Sequence, residues 1–197
     1  MTNGKVSGNT SGSHGGGICI VQGDFKLSGG TVSGNTASGE GRGGGVYVTN
    51  GSLQMEGASI NANKAGTGGG VFVYQSPMNM TGGSITGNTA TNLAGGVYYS
   101  NTTLKVSGSP VISDNKCTAS DGGGAQDVYL LSTYTIIVGG ALSSEARIGV
   151  YIKGQSTHVF TEGLGRDGNI DAFFSNNNMM TIARSDDGQE AALTRAQ

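Results

Sequence analysis

Charge is scarce in this chain: only 12% of its 197 residues are Asp, Glu, Lys or Arg. Disordered chains stay open through high charge and low hydrophobicity, so a weakly charged chain with 35% hydrophobic residues is expected to fold. A formal net charge of −2 gives no electrostatic reason to expect nucleic acid or an anionic membrane as a partner. Proline occurs twice, which argues against collagen-like and proline-rich disordered classes. Two cysteines, Cys19 and Cys117, are too few for a disulfide framework. No apolar run approaches the ~18–20 residues of a membrane span, so no membrane insertion is expected. Met1-Thr2-Asn3-Gly4 runs straight into a repeat without the apolar segment of a signal peptide. The expectation is a piece of a longer, multidomain chain.

Glycine is abundant instead, at 38 residues, and it is distributed periodically. One element is a β-branched residue, two further residues and an asparagine: Val6-Ser7-Gly8-Asn9, Val32-Ser33-Gly34-Asn35, Ile60-Asn61-Ala62-Asn63, Ile85-Thr86-Gly87-Asn88 and Ile112-Ser113-Asp114-Asn115. These asparagines are spaced by 26, 28, 25 and 27 residues. A second element follows a glycine cluster: Ile18-Cys19-Ile20, Val46-Tyr47-Val48, Val71-Phe72-Val73, Val97-Tyr98-Tyr99 and Val128-Tyr129-Leu130. A third alternates: Phe25-Lys26-Leu27, Leu53-Gln54-Met55, Met78-Asn79-Met80 and Leu104-Lys105-Val106. A fixed order of unlike elements at a 25–28-residue period is the signature of a solenoid.

Each element is too short for a helix and alternates with period two, so each reads as a strand with one buried face. Stacking like on like, about 4.8 Å apart, gives three parallel sheets around one core. The predicted fold is all-β, a right-handed parallel β-helix with three short strands per coil. Its inward rows are Val46/Val48 and their equivalents, Leu53/Met55 and theirs, and Val6, Val32, Ile60, Ile85 and Ile112. Glycines, and the repeated asparagine, are expected to supply left-handed corner conformations. Stacked asparagine amides can also bond along a ladder. The variable stretch after each asparagine reads as surface loop. Residues 1–130 form the regular coils; residues 131–197 form irregular final coils and a C-terminal cap, because a solenoid must cover its end.

The copies Gly29–Val48 and Gly82–Tyr99 resemble the β-helix repeats of bacterial cell-surface proteins, especially those of gut Firmicutes. More distantly they are similar to the repeats of chlamydial polymorphic outer-membrane proteins and autotransporter passengers. The resemblance implies secretion and display at the bacterial cell surface.

Chemistry-bearing residues are sparse. Cleavage of a polysaccharide, as by pectate lyases on this fold, needs acids converging from adjacent coils. Asp24, Glu40, Glu56, Asp114 and Asp121 occupy unlike repeat positions, so no catalytic site and no enzyme activity is expected. Asp167-Gly168-Asn169-Ile170-Asp171 opens like a calcium loop, but Ala172 stands where glycine is needed and Asn178 where glutamate is needed. No metal or cofactor is expected. The outward pairs Thr31/Ser33, Ser59/Asn61, Ser84/Thr86 and Val111/Ser113 lack the regular threonine grid of an ice-binding face. Cys19 and Cys117, about 19 Å apart along the stack, are expected to be free thiols.

One surface feature stands out. Tyr47, Phe72, Tyr98 and Tyr129 fall at one outward position per coil, with Tyr74 two residues beyond Phe72. Such an exposed aromatic stripe suits a sugar ring or a protein partner, unless the rings only stack on one another or loops cover them. The expected role is a non-catalytic display or adhesion module binding host protein or glycan; the alternatives are an inert stalk and, behind it, a pectate-lyase-like polysaccharide-degrading enzyme.

Overall fold

A computed structural model describes residues 1–120, 123–154, 158–177 and 180–195. The chain is a parallel β-solenoid of about six turns with essentially no helix. Residues before each asparagine form one strand of every coil: Lys5–Ser7, Thr31–Ser33, Ser59–Asn61, Ser84–Thr86 and Val111–Ser113. The glycine-led strands are Ile18–Ile20, Val46–Thr49, Val71–Tyr74, Val97–Ser100 and Val128–Leu130. The alternating strands are Gly23–Leu27, Gly51–Met55, Met78–Met80, Leu104–Gly108 and Ile136–Leu142, with Thr161–Glu162 beyond them. Each pairs in parallel with its neighbours in the stack, the first strand of each row on one side only and the interior ones on both, as Phe72 does with Tyr47 and Tyr98.

The expected three strands per coil must be corrected to four. The stretch after each asparagine, read as loop, opens with a short strand: Thr10–Ser11, Thr36–Ala37, Lys64–Thr67, Thr89–Leu93 and Lys116–Cys117. These five strands stack in parallel, and Gly124–Ala125, antiparallel to Lys116–Cys117, completes a six-stranded sheet. The inward residue is small, and Ala37, Ala65, Ala90 and Cys117 are all buried. A tight corner has room for a methyl or a thiol and nothing larger, so apolar alternation is muted there. Cys117 thus lies in a strand, its thiol donating to the Asn92 carbonyl at 3.2 Å, and both cysteines are free.

The asparagine strands and the glycine-led strands belong to one 12-stranded sheet. They merge at Arg147–Ile152, whose first half pairs with Val111 and Ile112 and whose second half pairs with Val128–Leu130. In this coil the asparagine turn and its short strand are missing, so the two strands run on as one, and Phe173–Ser175 adds the twelfth strand in parallel. Beyond it, His158–Val159, Met180–Arg184 and Ala191–Arg195 form an antiparallel sheet. Phe160, Phe173, Met180 and Leu193 join the same hydrophobic cluster as Val46 and Leu53, so the core continues unbroken into the C-terminal residues.

The asparagine row forms a continuous hydrogen-bonded ladder. Each Oδ1 accepts twice from the coil before it: Asn63 receives the Asn35 backbone N–H and Nδ2–H, both at 2.9 Å. Asn88 receives the same pair from Asn63, and Asn115 from Asn88. Each Nδ2 also donates to a carbonyl one coil back, as Asn88 does to Ile60 at 3.0 Å. Every polar atom of these buried amides is therefore used, as burial requires. The left-handed residue is not the asparagine, as expected, but the one before it: Gly8, Gly34, Ala62, Gly87 and Asp114, with φ between 53° and 69°. That twist is what turns the asparagine inward.

Asp127 terminates the ladder. Its Oδ1 takes both Asn115 bonds at 2.8 Å, standing in for the asparagine that the missing turn would have supplied. Asn176 locks it in place, accepting from the Asp127 N–H at 2.9 Å and donating to Oδ2 at 3.0 Å. Asn177 caps the neighbouring strand end by bonding both the N–H and the carbonyl of Ile152.

Candidate functional site

Because the glycine-led strands are in register, their outward rings meet. Tyr47 stacks on Phe72 at 5.4 Å between centroids, Phe72 on Tyr98 at 5.1 Å and Tyr98 on Tyr129 at 6.0 Å, with ring planes within 28° of parallel. Two residues overlooked in the sequence extend the ladder. Tyr151, paired with Tyr129 across the sheet, stacks on it at 5.5 Å. His14 covers Tyr47 at 4.8 Å, in the place the registered but ringless Cys19 leaves open. Its Nδ1 accepts from the Arg42 N–H at 3.3 Å. Burial and then the Arg42 charge lower the His14 pKa from its usual value, in keeping with an unprotonated Nδ1 that accepts the Arg42 N–H.

The expected exposure of this stripe is corrected by the structure. Phe72 and Tyr129 are each only 3% exposed, and Tyr47 and Tyr98 are half-buried. The Arg42 guanidinium lies 5.2 Å from the Phe72 centroid and roofs it. Burial, with Tyr151 and Tyr98 adjacent, pushes the Tyr129 phenol up to about 12. Interior rings spend both faces on one another, so a ligand meets ring edges and hydroxyls there instead of a stacking platform.

Tyr74 stands apart from the ladder and keeps a partly exposed ring. Its hydroxyl accepts from Asn101 Nδ2 at 3.3 Å. It forms one wall, with Ser100, of a groove of about 240 Å³ whose floor is Phe72 and Tyr98 and whose other wall is Arg42, Thr67 and Leu93. Four of the five expected residues thus form a ladder, and the fifth faces the groove beside it. Arg42 carried no sequence signal, because it lies in the non-repeating part of its coil.

The acids are dispersed and already engaged. Asp24 accepts from Ser52, Glu40 from Asn92, Asp114 from Ser113, and Glu56 pairs with Lys26. Asp121 lies outside the described residues. Among the described residues no three His, Cys, Asp or Glu side chains are grouped as metal ligands would be. The segment that opens like a calcium loop holds a 3₁₀ turn at Ile170–Ala172, and Asn169 donates to the Ser143 carbonyl at 2.7 Å; Asn178 lies outside the described residues. Compared with protein-family models, curated proteins and solved structures, the chain matches none.

Replacing Phe72 by Ala is expected to cost about 3 kcal/mol, as buried aromatic truncations do. Tyr74→Ala, at a partly exposed ring, is expected to cost under about 1 kcal/mol. Urea midpoints of the two variants measure the difference; equal costs would mean that the ladder is not a packed structural unit.

Proposed function

We propose that this chain is a non-catalytic adhesion or display module of a secreted bacterial surface protein, presenting a rigid side face to a host protein or glycan. The observation that carries the reading is the groove beside the aromatic ladder. It offers the Tyr74 ring, the half-buried Tyr98 and the Arg42 guanidinium on a backbone held by hydrogen bonds from coil to coil. A preformed surface of aromatic and Arg side chains is the usual composition of an interaction hot spot. The bacterial, surface-displayed setting rests on the resemblance of the repeats. A second reading, an inert spacer, is favoured by the stacking itself, since most ring faces serve the neighbouring coils.

A binding screen over glycans and host extracellular proteins separates them. The module reading predicts a ligand whose affinity falls about tenfold in Arg42→Ala or Tyr74→Ser while stability falls by no more than about 1 kcal/mol. Absence of any ligand would favour the spacer, and release of unsaturated products from a uronic-acid polysaccharide would overturn both.

A further inference from the structure

A second lined surface lies on the alternating strands, on a different sheet from the ladder. Register places Gln54 beside Asn79 and Asn79 beside Lys105, all pointing outward. Two residues further along each strand, Glu56, Thr81 and Ser107 make a parallel row, and an open trough of about 340 Å³ runs between the rows. At roughly 4.8 Å per coil, three rungs span about 10 Å.

The end of the trough is shaped by a bulge. Val106 pairs with Val138 and Gly108 with Leu142, so Gly139, Gly140 and Ala141 stand opposite Ser107 alone. Bulges of this kind re-aim side chains beside functional surfaces. Gly139 leaves room for the Lys105 stem, which any Cβ at that position would overlap. The lysine is thereby laid along the trough floor.

The polar groups are uncommitted in a selective way. Glu56 is neutralised by Lys26 at 2.7 Å, and that contact holds its carboxyl below the usual carboxylate range. Among the described residues, Lys105 has no ion-pair partner, and the Gln54 and Asn79 amides make no side-chain hydrogen bond. The trough therefore presents one net positive charge and two amides, each with a donor and an acceptor. A peptide strand would seek a sheet edge for its backbone. Side-chain amides on a sheet face instead match the adjacent hydroxyls of a polyol.

The geometry points to a saccharide site. The trough binds a short segment of an acidic polysaccharide, its hydroxyls on Gln54 and Asn79 and its carboxylate or sulfate on Lys105. This rests on the binding-module reading and adds a ligand class on a face that reading leaves unused.

Calorimetric titration with three tetrasaccharides tests it: a galacturonate, a sulfated carrageenan without carboxylates and uncharged cellotetraose. At low salt the wild type is expected to bind one or both acidic probes at least tenfold more tightly than cellotetraose, and the preferred probe identifies carboxylate or sulfate. Lys105→Gln should erase that preference, and Gly139→Ala, which keeps the charge but displaces it, should weaken it severalfold. Asn79→Ala should weaken charged and neutral probes alike. Lys116→Gln, the same charge change on the short-strand sheet, should leave binding unchanged. Acidic probes that bind Lys105→Gln as well as wild type, or that do not bind wild type at all, overturn the site. Acidic probes that fail to bind while a different ligand binds and is lost in Arg42→Ala would overturn the trough and leave the module reading standing.

Discussion

Asn88→Ala is expected to lower stability by about 4 kcal/mol, a large share of the ~5–15 kcal/mol that holds a typical domain folded. The truncation strands the Asn63 backbone N–H, the Asn63 Nδ2–H and the Ile60 carbonyl, all buried and all bonded to this one amide. Each orphaned buried group costs about 1–3 kcal/mol. Asn88→Asp should be no better, because a carboxylate cannot donate to the Ile60 carbonyl or to Asn115 Oδ1. Asn9→Ala supplies the contrast. Asn9 is exposed and only donates into the ladder, so its loss should cost under about 1 kcal/mol. Urea unfolding of the three variants measures the series, and equal costs for Asn9 and Asn88 would refute the ladder's role.

A comparable effect is expected where the ladder ends. In Asp127→Asn, one amide oxygen can still serve Asn115, but the new Nδ2 faces the Nδ2 of Asn176. Asn176 cannot turn over to relieve the clash, because its oxygen already accepts the backbone N–H of position 127. The expected cost is about 2 kcal/mol. Asn176→Asp instead sets two carboxylates against each other and should cost at least as much. Combining Asp127→Asn with Asn176→Asp swaps the roles. The carboxylate now at position 176 accepts from both the backbone N–H and the side-chain amide at position 127, and all bonds are restored. The double variant is therefore expected to be more stable than either single one, with a coupling of about 2–3 kcal/mol.

The same carboxyl sets a pH dependence. Burial, the leading cause, raises the Asp127 pKa above 3.8, with hydrogen bonds from Asn115 and Asn176 opposing and nearby Asp114 adding to the rise. The folded state then holds the proton more tightly than the unfolded chain, so this group's contribution to stability falls as pH rises from 3.8 through the folded value. In Asp127→Asn that falling component should vanish. A wild-type profile identical to that of the variant over this range would contradict the assignment.

Much of the solenoid was legible in the sequence because its determinants recur. Val46/Val48, Leu53/Met55 and Ile60 alternate strongly enough to mark strands, and one asparagine per 25–28 residues fixes their register. The short strand escaped notice because two residues with a small inward side chain, such as Thr36-Ala37, carry no visible alternation. The left-handed position before each asparagine was signalled by Gly8, Gly34 and Gly87 but masked by Ala62 and Asp114. Termination was illegible for a different reason. Asp127, Asn176 and Asn177 act once each, Asp127 and Asn176 meet across 49 positions, and no repeat copy exists to compare them with. The aromatic row was visible, whereas its burial was not, since Arg42 and His14 reach it from non-repeating segments.

The measurement that bears most directly on the stacked coils is hydrogen exchange of the asparagine side-chain amides, followed by nuclear magnetic resonance. The ladder predicts that the Nδ2 protons of Asn63 and Asn88 exchange only with global unfolding, as slowly as the most protected backbone amides of Val71–Tyr74, while those of Asn9 exchange freely. Free exchange at Asn63 and Asn88, matching Asn9, would contradict it.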